Sequence, residues 1–193
     1  MEEHLATQLI EPLDDSLVEY VKKLLVSRIR EKKAKPTTKY HGADVYFLGD
    51  KQNGYSILAR DNEILYFVRY EAVKHNRLEL GRQVLVWSNK TDPASAGFAA
   101  HIFFDYLLPK YKALIADKQQ TSQGQRFWTY AINRALESNL RVYFLNRRTS
   151  PNKLIELRSI EDAVQHRKDL WGTEAGHLRT FAAISQIPLQ IKT

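Results

Sequence analysis

The stretch from Ala113 to Ile132, ALIADKQQTSQGQRFWTYAI, ends a short apolar run at Asp117 and follows it with Gln120, Thr121 and Gly124. An amphipathic segment comes next. A carboxylate at a strand end can act as a base toward an attacking amine, or hold that amine by hydrogen bonds. It can equally cap the following helix or brace the turn, a task Ser122 can also perform. Gln120 and Thr121 offer donors and acceptors in a loop, and Gly124 leaves room for a ligand where the helix begins. These are the substrate-binding candidates. Trp128, deeper in the helix, reads as a core plug.

Charge supplies the second feature. The net charge is +7 and the pI about 9.5, which permits nucleic acid or an anionic cofactor as partner without requiring either. Much of the excess lies in KKLLVSRIREKKAKPTTK, where Lys22, Lys23, Arg30 and Lys33 are candidates for nucleic-acid contact. A solvated helix face has the same composition. Arg147, Arg148 and Lys153 admit the same two readings, phosphate contacts or ordinary turn charges.

Several chemistries drop out. The chain has no cysteine, which removes disulfides, thiolate metal sites and a cysteine nucleophile. Its six histidines form no H-x-x-x-H pair, so no metal site is expected, and His101 reads as a core or edge histidine. There is no G-x-S-x-G elbow and no Walker loop, and GDKQNG is a hairpin turn. A length of 193 residues, 44% hydrophobic, suits a single domain over 1–193. No run of about 18 apolar residues occurs, so no membrane span is expected. The acidic, mixed start MEEHLATQLIEPLDD does not resemble a secretory signal, and a cytoplasmic protein is the expectation.

The elements that must position these groups follow from periodicity. Asp14, Asp15 or Ser16 can cap a helix of about 14–35, with Leu17, Val18, Val21, Leu24, Leu25 and Ile29 as its apolar stripe and Pro36 as its outer limit. DVYFLGD, GYSILARD and EILYFVRYEAV then alternate as strands, with Asn53-Gly54 and Asp61-Asn62 as turns, making an antiparallel meander. A polar connection from His75 to Gly81 leads to the strand RQVLVWS. AGFAAHIFFDYLLPKY reads as a buried helix stopped near Pro109, and KALIAD as a short strand. Ser122 and Gln125 have capping-box spacing ahead of a helix whose inward stripe is Phe127, Trp128, Ala131, Ile132, Ala135 and Leu136. LRVYFLN and KLIELRS form a last hairpin, IEDAVQHRKDLWG a helix ending at Gly172, and about 172–193 a docked tail.

This order of elements, from Leu17 to Arg158, resembles the GCN5-related N-acetyltransferase (GNAT) fold. The I-A-D-x-x-Q-T-x-x-G-x-x-F-W pattern is also similar to a segment of uncharacterised phage-encoded proteins of that fold. The resemblance implies an α+β class: a mixed, mostly antiparallel sheet flanked by helices. It implies that RQVLVWS and KALIAD splay apart to admit the pantetheine arm of acetyl-CoA or another acyl-CoA. The pyrophosphate would sit on the helix that begins at Ser95, Ala96, Gly97 and Phe98, where small residues let phosphate approach unpaired N–H groups. The family's arginine or glutamine is replaced there by Ala94. Backbone N–H groups beside Trp87 and Ser88 would stabilise the tetrahedral oxyanion. Tyr130 would be the acid that reprotonates the departing thiolate; its bland alternative is packing at the helix surface. The implied activity is acyl transfer to an amine on a small molecule, a host protein or nucleic acid. The competing expectation is a binding protein that keeps the fold without the chemistry and engages nucleic acid or a host protein through its basic helix.

Overall fold

Turn geometry and two-residue alternation build the first part of the sheet. The computed structural model describes residues 15–50, 52–75, 78–116, 122–146, 153–166 and 180–190. Helix α1 (Asp15–Arg30) buries Val21 and Leu25 completely. It ends where Lys32 turns left-handed at φ 56° and Lys33 donates to the Arg28 carbonyl at 2.8 Å, several residues short of Pro36. Strand β1 (Thr38–Tyr40) reaches β2 (Ala43–Gly49) through His41 and Gly42, both at positive φ. Strand β3 (Asn53–Arg60) pairs with β2 in the register Val45↔Leu58 and Gly49↔Gly54. The turn between them is held by the Asp50 carboxylate, which accepts the N–H groups of Gln52 and Asn53 at 2.7 and 2.9 Å. Asn53-Gly54 therefore opens β3 instead of forming the turn. Asp61 and Asn62, at φ 52° and 65°, make the tight turn into β4 (Glu63–His75) as their sequence predicts.

Strand β5 (Leu78–Ser88) begins earlier than the polar residues before Gly81 suggest. Most of the expected long connection is strand, since β4 runs to His75 and β5 starts at Leu78, and the charged Lys74 and Glu79 are exposed. After β5 the chain makes a 3-10 turn (Pro93–Ser95) and then helix α2 (Phe98–His101). A π-helical turn (Ile102–Leu107) and α3 (Leu108–Tyr111) continue it. Pro109 does not stop this helix. The wider turn carries the Leu108 N–H to the Phe103 carbonyl, five positions back, and the chain stops at Lys112 with φ 63°.

Strand β6 (Ala113–Ile115), helix α4 (Ser122–Glu137) and strands β7 (Arg141–Asn146) and β8 (Lys153–Leu157) follow as expected. Because α4 starts at Ser122 itself, its cap position falls on Thr121, outside the described residues. Helix α5 (Ile160–Gln165) is capped by Ser159 and closes at His166, well before Gly172. The largest departure is β9 (Thr180–Ser185), within the stretch expected to be a tail. It lies between β6 and β7, antiparallel to both.

The fold is α+β. Its nine strands form one mostly antiparallel sheet in the order β1-β2-β3-β4-β5-β6-β9-β7-β8, with β5 and β6 parallel. The chain divides into two compact units, Met1–Tyr70 with Leu85–Ala99 and Glu71–Val84 with Ala100–Thr193. In the first, α1 covers a core of Tyr46, Leu48, Ile57, Ala59, Ile64 and Phe67. In the second, α4 buries Trp128, Ala131, Ile132 and Ala135, and the Trp128 ring meets the Phe103 ring edge-on at 5.3 Å. No helix among the described residues is long and apolar enough to cross a membrane.

Candidate functional site

The parallel contact between β5 and β6 is short. Its register is Gly81↔Leu114 and Arg82↔Ile115, after which β6 ends while β5 continues to Ser88. On its other side β6 follows β9 further: beyond Ile115↔Ala183, the Ala116 N–H donates to the Ala182 carbonyl at 2.9 Å. Gly81 is required at the start of this contact. A β-carbon there would lie 2.4 Å from the Tyr111 ring and 2.5 Å from the Leu114 side chain. On the opposite face, the Arg82 guanidinium is bound to the Glu71 carboxylate.

The loop after β5 is built around Asp92. One carboxylate oxygen accepts the Ala94 N–H at 2.8 Å and the other accepts Arg60 Nη1 at 3.0 Å. This is an N-cap followed by proline, a helix-start signal visible in D-P-A-S but not exploited by the sequence reading. Ser95 Oγ lies 2.8 Å from the Asn89 carbonyl and 2.9 Å from that of Asp92, so its hydroxyl serves the loop itself. Tyr40 donates its hydroxyl to the Ala96 carbonyl at 3.0 Å. Gly97 is left-handed at φ 73°, and a β-carbon on it would come within 3.0 Å of that hydroxyl.

Ala96 and Gly97 are exposed, but the Phe98 side chain is not available to a ligand. Its ring is fully buried, with centroids 5.1 Å from those of Tyr40 and Tyr66. Ala94 is buried too. The loop presents outward the side chains of Lys90, Thr91 and Pro93, and the backbone at Ala96 and Gly97. The Tyr66 hydroxyl is buried without a hydrogen-bond partner among the described residues, and burial pushes its pKa well up. On β5, the half-buried Trp87 stacks on Phe67, with centroids 5.9 Å apart and planes 14° apart. Ser88 is half-buried beside it.

On α4, Tyr130 is 49% exposed and its hydroxyl lies 3.4 Å from Arg134 Nη1. Arg134 is itself held over the Phe104 ring at 4.4 Å. Gly124 is half-buried in the first turns of the same helix. Asp117, Gln120 and Thr121 lie outside the described residues, as do Arg147 and Arg148. His101 bonds through Nδ1 to Asp105 at 2.8 Å, one helical turn on, which fits an edge histidine.

The basic face of α1 is partly neutralised. Lys22 Nζ lies 2.5 Å from Glu63, and Lys33 Nζ lies 2.9 Å from Glu31. Lys23 and Arg30 remain exposed along a shallow surface hollow of about 420 Å³ whose lining also includes Glu19 and Glu31. Among the described residues, no group of three or more acidic or histidine side chains is placed to hold a metal ion. The chain matches no protein-family model, no curated protein and no solved structure.

Proposed function

We propose that the protein is an N-acyltransferase of GNAT type, moving an acyl group from acyl-CoA to an amine on a small molecule, a host protein or a nucleobase. One observation carries this reading: a parallel strand pair, β5 and β6, in an otherwise mostly antiparallel sheet, that stops after Arg82↔Ile115 while β5 runs on. Unpaired peptide groups along a strand edge need partners, and an extended ligand rich in amides supplies them. The left-handed Gly97 ahead of a helix start supports it as well.

In this mechanism the amine nitrogen attacks the thioester carbonyl. The carbon–sulfur bond of the tetrahedral intermediate then breaks, and the acyl group remains on nitrogen. Asp117 takes the proton that the amine loses, and Tyr130 gives one to the departing thiolate. N–H groups beside Trp87 and Ser88 hold the oxyanion, and backbone at Ser95, Ala96, Gly97 and Phe98 receives the pyrophosphate. Thermal unfolding with acetyl-CoA tests the binding step. Ligand at about a hundred times its dissociation constant adds ~2.7 kcal/mol of stability. Gly97→Glu, which puts a charge where the pyrophosphate is placed, removes that shift. No shift with any acyl-CoA in the parent protein refutes the enzyme.

The second reading is a binding protein that uses the exposed Lys23 and Arg30 on α1 with the neighbouring Lys22 and Lys33. It draws on the carboxylate of Asp92 in the loop, which disfavours phosphate there, and on the missing arginine or glutamine at Ala94. Binding to nucleic acid through that face would weaken steeply with salt, by roughly one counterion per phosphate contact. Salt-independent binding, or none, refutes it.

A further inference from the structure

Within the second compact unit, β5 carries a buried donor without a partner among the described residues. The side-chain nitrogen Nε2 of Gln83 is buried and makes no hydrogen bond to any of them. Buried amides in folded proteins nearly always have partners, so an orphan marks either strain or a group awaiting one. Its position is informative. Gln83 is the first residue of β5 past Arg82↔Ile115, the last position in register with β6. Side chains alternate along a strand, so Gln83 shares a face with Gly81 and not with Arg82. That is the face on which the Tyr111 ring and the Leu114 side chain press against Gly81. Arg82, on the other face, has its partner in Glu71.

We infer that Gln83 is a ligand-positioning residue whose side-chain N–H donates to an amide carbonyl of an extended acyl-carrier arm. The inference rests on the acyl-CoA reading proposed above, and it adds a residue to which no role had been assigned. A pantetheine arm suits the place chemically. It is a narrow, flexible chain, and its amide carbonyls are acceptors of the kind Gln83 lacks. The adenosine bisphosphate portion of coenzyme A, without that arm, has no amide carbonyl to give. Gln83 thus fixes how far the arm advances along β5, and so where the thioester stops.

The test compares two probes, coenzyme A and adenosine 3′,5′-bisphosphate, by calorimetric titration against the parent and Gln83→Met. Methionine keeps the length of the side chain and removes the donor. The expected result is about tenfold weaker coenzyme A binding, unchanged binding of the bisphosphate, and an unfolding temperature no lower than the parent's. Equal coenzyme A affinity in a folded Gln83→Met overturns the role of Gln83 and leaves the acyl-CoA reading intact. Parallel losses for both probes with a lowered unfolding temperature make Gln83 structural, which also overturns it. Absence of coenzyme A binding to the parent overturns both. If the variant does not fold, the side-chain amide resonances of Gln83 in the parent protein decide. They shift on adding coenzyme A and stay still with the bisphosphate; no shift with coenzyme A refutes the contact.

Discussion

Ala116 donates its N–H to the Ala182 carbonyl at 2.9 Å, one residue beyond the point where β6 loses its register with β5. The strand stays with one neighbour after leaving the other, and the functional proposal starts from that asymmetry. The contact that remains depends on close packing at Gly81. Gly81→Ala places a methyl 2.4 Å from the Tyr111 ring, and the variant is expected to lose about 1–3 kcal/mol. Urea unfolding measures it, and adding Tyr111→Leu should recover part of the loss. An unchanged midpoint in Gly81→Ala would contradict the packing described.

Asp92 offers a test in which stability and binding move in opposite directions. Asp92→Asn keeps an acceptor for the Ala94 N–H but gives up the ion pair with Arg60, a partly exposed interaction of about 0.5–1 kcal/mol. The same change removes a negative charge from the loop assigned to the pyrophosphate. Coenzyme A should bind roughly threefold more tightly at low salt, with the gain fading at high salt. Weaker or unchanged binding would move the phosphate elsewhere.

Tyr130 is exposed and sits beside Arg134, so its phenol can be removed without disturbing the core. Tyr130→Phe should lower kcat by about 100-fold, leaving the acyl-CoA KM and the unfolding temperature near their parent values. A variant with full turnover would show that Tyr130 only decorates the helix surface.

The end of α1 carries a pH signature. Glu31 is held below the ordinary carboxylate value of 4.5, first by its hydrogen bond from Lys33, then by that from Ser27. A lowered folded-state pKa means the stabilisation is fully present above the unfolded-state value and fades as pH falls through the folded-state value. The parent should therefore be more stable than Glu31→Gln at neutral pH, with the two converging in acid below the ordinary carboxylate range. Parallel stability curves down to about pH 3 would contradict the contacts of Glu31.

The first strands were readable because their turns have local causes. Asp61-Asn62 supplies the two positive-φ residues of a tight turn, and β2, ADVYFLG, is rich in β-branched and aromatic residues. Helix α4 was readable from the spacing of Trp128, Ala131, Ile132 and Ala135. Strand β9 was not. Phe181, Ala182, Ala183 and Ile184 are all buried, so the strand shows no alternation, and alanine has little preference for strands. Its place between β6 and β7 is set by pairing with distant segments, which local pattern does not encode. Pro109 misled because the π-helical turn before it changes which carbonyls need donors. Of the candidate site, Gly97 and the loop start were legible as a small-residue helix entry. Asp92, Tyr40 and Gln83 were not, since their importance comes from partners, or the want of one, across the sheet.

Hydrogen exchange along β5, with and without coenzyme A, addresses the central claim most directly. Amides between Gln83 and Ser88 that point away from β4 should exchange readily in the free protein and slow at least tenfold once coenzyme A is added, while those of β2 and β3 stay unchanged. Amides already protected in the free protein, or unmoved at saturating coenzyme A, would contradict the claim that the edge of β5 past Arg82 receives the ligand.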